Sequence, residues 1–532
     1  MSLSSRSQVL LESEQIGTFG TFDITLILSQ IGSPPEFNID YDVELYKLVY
    51  NTMDPLGNAT IASGAIAVPI GYDCSFPIAN YNHGTIVRRT DVPSNSSTEA
   101  LIGVGMASSG YIVSLPDYLG LGDSPGRHPY VHADSQASAT IDMIAACKEF
   151  LDGEGFFYND QLFLFGYSQG GHACMATHKA IEEDPNSDLT VTASAPMSGP
   201  YDISGIQTQY LIDDIPYDSP GYLPYVVLAY QEIYDFLPQD LSDIFAPPYD
   251  TLLLDLFDGT QTFGEINAVL PAIPNEMIRE DVFEAFVNDQ DHPLRVALRD
   301  NDVFDWSPTA PIHMFYCTED EQVDFENALL ALEVLTENGG DIQVTNGGAL
   351  THGGCVAPAL IGGKAFFDSF RQEGLTQDVS FEYDFNIGTI TIDTDDPSIF
   401  EYAWSLDGVS IDFTGSDLEA SEFGFGVYEV LVSDVASGCS ENFTVEALLI
   451  SGLNELDAIG GRLYPNPSSG SITLEVGLDQ IGEPLSIFSG QGTKVYETRI
   501  TSAVQQLDTE SLSAGVYILR IGNGIQEKLV KY

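Results

Sequence analysis

The sequence predicts a mainly parallel α/β sheet with a helical insertion, followed by two small all-β modules. Three observations lead there. Short apolar runs alternate with helix-like stretches through residues 1–375. The interval 201–305 breaks that alternation with amphipathic, tyrosine-rich pieces. Basic residues are absent between Arg371 and Arg462, after which acids and bases nearly balance.

The elements follow in order. Residues 43–50 and 60–69 flank the turn signal Asp54-Pro55-Leu56-Gly57-Asn58 and read as a hairpin. Apolar runs at 77–81, 111–115, 162–165, 191–195, 312–316 and 342–344 have the length of buried strands, and 135–151 and 170–183 have helical character. Buried strands interleaved with helices argue for a parallel sheet covered on both faces. The 201–305 interval is too long for a plain strand connection. It reads as a mostly helical cap, with Tyr210, Tyr217, Tyr222, Tyr225, Tyr230, Tyr234 and Phe236 supplying either a substrate pocket or the cap's own core. Residues 376–455 read as a small β-sandwich with strands at 381–385, 389–392, 402–404, 427–432 and 443–447. Residues 460–532 form a second β module, alternating at Ile472, Leu474 and Val476 and again at Val516 and Ile518, with Leu519 out of phase.

Composition narrows the function. The chain has 532 residues, 79 acids and 18 bases, for a formal charge of −61. Phosphate binding needs Lys and Arg, so a general nucleic-acid binder is excluded. Docking on anionic membranes is disfavoured for the same reason. Residues 460–532 carry seven acids and six bases, so the charge resides in 1–459. Hydrophobic residues at 44% can bury a large core, and six cysteines cannot build a disulfide scaffold. No run of 18 apolar residues is present. Residues 1–20 hold one Arg and no signal-like apolar stretch, so either a leader has been removed or the protein is cytoplasmic.

Two segments have the spacing Gly-x-Ser-x-Gly: Gly166-Tyr167-Ser168-Gln169-Gly170 and Gly122-Asp123-Ser124-Pro125-Gly126. A nucleophile elbow needs a buried strand before it and a helix after it. Ser168 has both, whereas Ser124 sits among prolines. The residue after the serine must also offer a backbone N–H to an oxyanion; Gln169 has one and Pro125 does not. Gly166 and Gly170 remove side chains that would collide in so sharp a turn. The plainer reading of Ser168 is a helix N-cap. A serine needs a base, and on such a sheet an acid and then a histidine follow it in the chain. Glu319, Asp320 and Glu321 follow the strand at 312–316. Asp320, where a short turn leaves that strand, is taken as the acid, with Glu319 and Glu321 as solvated neighbours. His352, on the glycine-rich loop Leu350-Thr351-His352-Gly353-Gly354 after the last strand, is taken as the base. His313 lies within a strand, and His172 and His178 lie on the helix after the elbow. A second oxyanion donor is expected from Asn82-His83-Gly84-Thr85: the Thr85 N–H, with Gly84 allowing close approach and His83 fixing the loop.

These pieces, with 115–124, resemble the α/β-hydrolases over residues 40–375, closest to the secreted lipase/esterase type with a helical cap. The resemblance implies hydrolysis of a small-molecule or lipid ester by Ser168, Asp320 and His352 under a cap; no cofactor is expected, and no ligand-spaced His/Cys cluster suggests zinc. The tail, with Leu463-Tyr464-Pro465-Asn466-Pro467, Gly515-Val516-Tyr517 and the basic Lys528–Lys531 ending, looks like the C-terminal sorting domain of type IX secretion in Bacteroidetes. That resemblance implies the secretion machinery as a partner and a secreted or cell-surface location. The middle zone, with Trp404, Asp407-Gly408 and Gly438-Cys439, looks like an immunoglobulin- or PKD-like spacer. A serine peptidase, a carbohydrate-ester esterase and a non-catalytic surface binding protein are the alternatives.

Two smaller expectations remain. Cys317 and Cys355 stand three residues from the proposed acid and base, either as a disulfide or as two buried thiols. The run Asp393-Thr394-Asp395-Asp396 could hold calcium or be a solvated turn. The charge itself suggests a saline habitat, because self-repulsion is relieved by short-range screening. The melting temperature should then rise between about 10 mM and about 1 M NaCl; equal values would refute this reading of the acidity.

Overall fold

The computed structural model describes residues 8–30, 38–71, 74–372, 374–375, 379–384, 388–394, 396–423, 426–435, 439–447, 461–468, 470–489, 493–509, 511–513, 515–522 and 525–531. Phe385, Asp395 and Gly438 lie outside them. The chain divides into two compact units, Met1–Glu373 and Gly374–Tyr532.

Among the described residues the first unit is built on nine strands: β1 (Leu10–Phe19), β2 (Asp42–Met53), β3 (Ala59–Ile70), β4 (Phe76–Asn82), β5 (Ile112–Pro116), β6 (Tyr158–Tyr167), β7 (Ala193–Met197), β8 (Ile312–Tyr316) and β9 (Ile342–Asn346). Their order across the sheet is β1-β2-β3-β5-β4-β6-β7-β8-β9. The β1–β2, β2–β3 and β3–β5 pairs are antiparallel; from β5 to β9 every pair is parallel. All residues of β4, β5 and β7 are buried, as expected of strands covered on both faces. The expected hairpin is β2–β3, in unbroken register from Asp42↔Ile70 to Met53↔Ala59. Its turn is closed by the Asp54 carboxylate, which accepts the Leu56 and Asn58 N–H groups at 2.9 and 2.8 Å.

Twelve α-helices accompany the sheet among the described residues of this unit. They are α1 (Thr21–Gln30), α2 (Thr98–Ala107), α3 (Ala133–Glu154), α4 (Gln169–Glu183), α5 (Gln209–Ile212), α6 (Tyr222–Ile233), α7 (Tyr249–Leu256), α8 (Phe263–Asn267), α9 (Glu280–Asn288), α10 (Pro293–Arg299), α11 (Glu326–Glu337) and α12 (His352–Asp368). The strand expected at 191–195 begins instead at Ala193. The Thr192 hydroxyl takes the Leu162 N–H at 3.1 Å where a ladder carbonyl would otherwise sit. β1 and α1 were not foreseen: the strand Leu10–Phe19 is a polar edge with five exposed residues in a row, and it has no apolar alternation to read.

The chain leaves β4 toward β5 on one side, while β6 lies on the other. That reversal opens a crevice at the C-terminal ends of β4 and β6, where α/β sheets take their ligands. Helices α5–α10 lie between β7 and β8 and form the cap. Their core, including Tyr225, Tyr230, Phe245, Leu253 and Phe286, continues onto Val87, Tyr130 and Val131 of the sheet body. The cap aromatics therefore divide. Tyr225 and Tyr230 are core, whereas Tyr210, Tyr217 and Tyr222 line an apolar cavity of about 90 Å³ within the cap.

In the second unit, Phe400–Leu406, Val409–Ser410, Gly426–Asp434 and Ser440–Ala447 form one sheet, and Ser380–Asp384, Thr389–Asp393 and Asp417–Glu419 another. Trp404 is buried and donates its indole N–H to the Gly415 carbonyl at 3.0 Å. The described residues of 462–532 add a three-stranded and a four-stranded antiparallel sheet around Ile472, Leu474, Leu485, Ile487, Leu519 and Leu529. The register of Gly515–Ile521 corrects the expectation. Tyr517, Leu519 and Ile521 face this core, Val516 is 44% exposed, and Ile518 pairs with Phe488 on the other face.

Two buried histidines carry a consequence for stability. Burial pushes His128 down to about 3 and His172 down to about 4. Both are neutral when folded and titrate near 6.5 when unfolded. Stability from each is complete above pH 6.5 and is lost as pH falls toward 4 and 3, because the unfolded chain binds the extra protons. The melting temperature of the first unit should fall between pH 7 and 4, and the fall should be shallower in His172→Gln. A wild-type curve flat over that range would contradict the assignment.

Candidate active site

Ser168 stands alone between β6 and α4, with φ 60° and ψ −122°. A non-glycine residue there is strained, and surrounding contacts must hold it. They do: the Ser168 N–H donates to the Met197 carbonyl at 2.9 Å, and its carbonyl accepts from Gly171 N at 2.8 Å. The turn admits no extra atoms. A Cβ on Gly166 would lie 2.2 Å from the Gly170 carbonyl oxygen, and one on Gly170 would lie 1.9 Å from that of Asn82. Ser124 occupies a turn closed on Leu121, outside any strand-to-helix junction.

The segment after β4 runs beside this turn. A Cβ on Gly84 would sit 3.9 Å from the Ser168 Cβ and 3.6 Å from the Tyr167 carbonyl oxygen. His83 is buried, with its ring nitrogens 2.7 Å from the Gly84 carbonyl and 3.2 Å from that of Asp117. The Thr85 hydroxyl lies 2.9 Å from that of Tyr130. Gln169 is anchored through its side chain: its amide donates to His128 Nε2 at 2.7 Å, while His128 Nδ1–H donates to the Leu119 carbonyl at 2.8 Å. This tautomer is the neutral one that burial imposes on His128.

Asp320 and His352 meet directly. His352 Nδ1–H donates to Asp320 Oδ2 at 2.7 Å, which leaves the lone pair on Nε2. Asp320 Oδ1 accepts the N–H groups of Gln322 and Val323 at 3.0 and 2.9 Å, so the carboxylate cannot swing away. Both side chains are nearly buried, at 8% and 1% exposure for histidine and aspartate. His352 is not on a loop as expected; it is the first residue of α12, whose cap is Thr351 accepting Gly354 N–H at 3.3 Å. Nor is Glu321 a solvated neighbour: it accepts the His352 backbone N–H at 2.9 Å. Glu319 is exposed, as expected.

Three further contacts complete the site, and two of them, those of Tyr167 and Gln322, escaped sequence reasoning. The Tyr167 hydroxyl donates to the His352 carbonyl at 2.7 Å, and the two rings lie 5.1 Å apart, which brings His352 against the strand-to-helix turn. Cys317 and Cys355 form a disulfide between the acid loop and α12, so of the two alternatives the bond is the one present. Gln322 ties that loop to the cap: its carbonyl accepts from Tyr217 Oη at 2.6 Å and Gln207 Nε2 at 2.8 Å, and its side-chain oxygen accepts from Tyr222 Oη at 2.7 Å. Tyr167 is the variable position of the elbow motif and Gln322 an unremarkable loop residue, so neither carried a signal. Among the described residues no group of His, Cys, Asp or Glu could hold a metal, and Asp395 of the candidate calcium turn is outside them.

Comparison with known proteins agrees with this architecture. Residues 94–352 match the secretory lipase family, and residues 462–532 match the secretion system C-terminal sorting domain. A Legionella pneumophila protein provisionally described as a hydrolase is 31% identical, with TM-score 0.64; the match covers 68% of this chain and 98% of that one. The rice cell wall degrading esterase LipA from Xanthomonas oryzae is 26% identical, with TM-score 0.63, over 69% of this chain and 100% of that one. No curated protein matches. The sorting domain marks a secreted or cell-surface protein that engages the type IX secretion machinery. The chain belongs to the secretory lipase family, as an ester hydrolase with an α/β-hydrolase fold and a type IX sorting tail.

Proposed function

We propose that the protein cleaves carboxylic esters through an acyl-enzyme on Ser168, with His352 as base and Asp320 as its orienting acid. The observation that carries this reading is the backbone of Ser168, held at φ 60° in a buried strand-to-helix turn. Such strain in a serine has a use when the hydroxyl must stand clear of the helix that follows. The Asp320–His352 bond and the contact of Tyr167 with His352 support the same roles.

The chemistry follows from those roles. His352 Nε2 takes the Ser168 proton as the serine oxygen adds to the ester carbonyl carbon. The N–H groups of Gln169 and Thr85 receive the oxyanion. The carbon–oxygen bond to the alcohol breaks, and His352 returns the proton to the departing oxygen. Water, deprotonated in turn by His352, adds to the acyl-enzyme and releases the acid, and Ser168 regains its proton. The apolar cap cavity suits an acyl or alkyl group. A second reading, an esterase for esters of plant cell-wall polysaccharide, is favoured by the full-length likeness to the Xanthomonas enzyme.

A fluorophosphonate should label the wild-type chain and leave Ser168→Ala unlabelled. Labelling that persists in Ser168→Ala would overturn the assignment of the nucleophile. In a p-nitrophenyl ester series, kcat should fall on the order of 10⁶-fold in Ser168→Ala and about 10⁴-fold in Asp320→Asn. An Asp320→Asn enzyme as fast as wild type would remove Asp320 from the site. Triglycerides set against acetylated and feruloylated polysaccharide then separate the two substrate readings.

A further inference from the structure

We propose that Glu321 is a positioning residue for His352, a second carboxylate that holds the base by its backbone while Asp320 holds it by its ring. The proposal rests on the catalytic reading of His352 given above. Adjacent carboxylates in an extended chain point to opposite sides, but the turn at 320–323 gives them separate tasks on one histidine. Asp320 Oδ2 meets Nδ1 at 2.7 Å; Glu321 Oε2 meets the backbone nitrogen at 2.9 Å.

That backbone N–H needs a partner. His352 opens the 17-residue helix α12, and the first N–H groups of a helix have no acceptor within it. The Thr351 cap serves Gly354, not His352. Glu321 supplies the missing acceptor and places negative charge where the helix dipole favours it. Desolvation opposes the charge, but the N–H groups of His352 and of Glu321 itself and the Gln322 amide outweigh it, so the carboxyl lies below its usual range. Gln322 Nε2 donates to Glu321 Oε1 at 3.2 Å, and Gln322 is itself held by the cap residues Gln207, Tyr217 and Tyr222. The carboxylate is thus fixed from its own loop and acts on the histidine main chain. A small rotation of residue 352 about that nitrogen would displace its ring, and in the proposed mechanism a misplacement of about 1 Å can cost ~10²-fold in rate.

The test uses the full chain with Glu321→Ala and Glu321→Gln, and p-nitrophenyl butyrate with active sites titrated by fluorophosphonate. Glu321→Ala should lower kcat per titrated site by roughly 10-fold with KM unchanged within about 2-fold. Glu321→Gln keeps an oxygen acceptor and should stay within about 3-fold of wild type. Wild-type kcat per titrated site in Glu321→Ala overturns the proposal, even where its melting temperature drops, because a merely structural role lowers the number of active sites and not their rate. A Glu321→Gln enzyme as slow as Glu321→Ala also overturns it, since charge and not position would then be at work. A wild-type chain that takes no label overturns the catalytic reading first, and this proposal with it.

Discussion

The turn from β6 into α4 has room for hydrogen and nothing larger. The ideal Cβ of Gly170 would sit 1.9 Å from the Asn82 carbonyl oxygen, far inside van der Waals contact. Helix α4 can therefore press its first turn against the end of β4, and the rest of the site is arranged around that contact. It brings the 83–85 segment beside Ser168, because that segment is the direct continuation of the strand on which the helix rests. It also compels the serine backbone into its strained conformation, since no relaxed turn would let strand and helix meet so closely. One absent methyl group thus links a feature of sequence, a feature of backbone and the juxtaposition of the two oxyanion-donor candidates.

The imidazole side is secured differently, by polar contacts at several atoms. Asp320 takes Nδ1, Glu321 the main-chain nitrogen, Tyr167 the main-chain oxygen, and the Cys317–Cys355 bond ties the helix one turn further on to the acid loop. These constraints act on different degrees of freedom: ring tautomer, backbone rotation, distance to the elbow and loop separation. Gln322 extends the set to the cap, because Tyr217 and Tyr222 donate to it and also line the apolar cavity. A group in that cavity would touch Tyr217 and Tyr222, each one hydrogen bond from Gln322, whose own N–H meets the Asp320 carboxylate. Cap and imidazole are parts of one hydrogen-bonded assembly.

The parts of this arrangement visible in the amino-acid sequence are those enforced by local rules. Ser168 is legible because a buried strand, two glycines and a helix must surround an elbow within about ten residues. Asp320 and His352 are legible because each follows a strand end in chain order. Glu321 was misread because three consecutive acids look alike until a turn assigns each a direction. The start of α12 at His352 was hidden by Gly353 and Gly354, which resemble a loop, although Thr351 was a serviceable N-cap signal. In the tail, Val516 and Ile518 suggested one face, and the opposite phase was chosen because Leu519 pairs with Ile487 across the sheet. Edge strand β1 had no signal at all, since its polar residues face solvent and only its neighbour β2 specifies it.

The seam between cap and body shows how so acidic a protein holds itself together. Two of its scarce cations cross that seam: Arg88 meets Glu265 at 3.2 Å and Arg127 meets Glu232 at 2.5 Å. The carboxylates of both pairs are more than half exposed, and exposed pairs contribute little once salt screens them. Beneath them runs a continuous apolar cluster in which Val87, Tyr130 and Val131 of the body are packed into the core of the cap, with Tyr130 and Tyr225 stacked at 4.3 Å. Apolar burial is not weakened by simple salt, and salting-out ions strengthen it. If ion pairs fastened the cap, the salt that relieves the repulsion of the acidic surface would also loosen it. Because apolar contact fastens it, the same salt leaves the assembly around Asp320 and His352 in place.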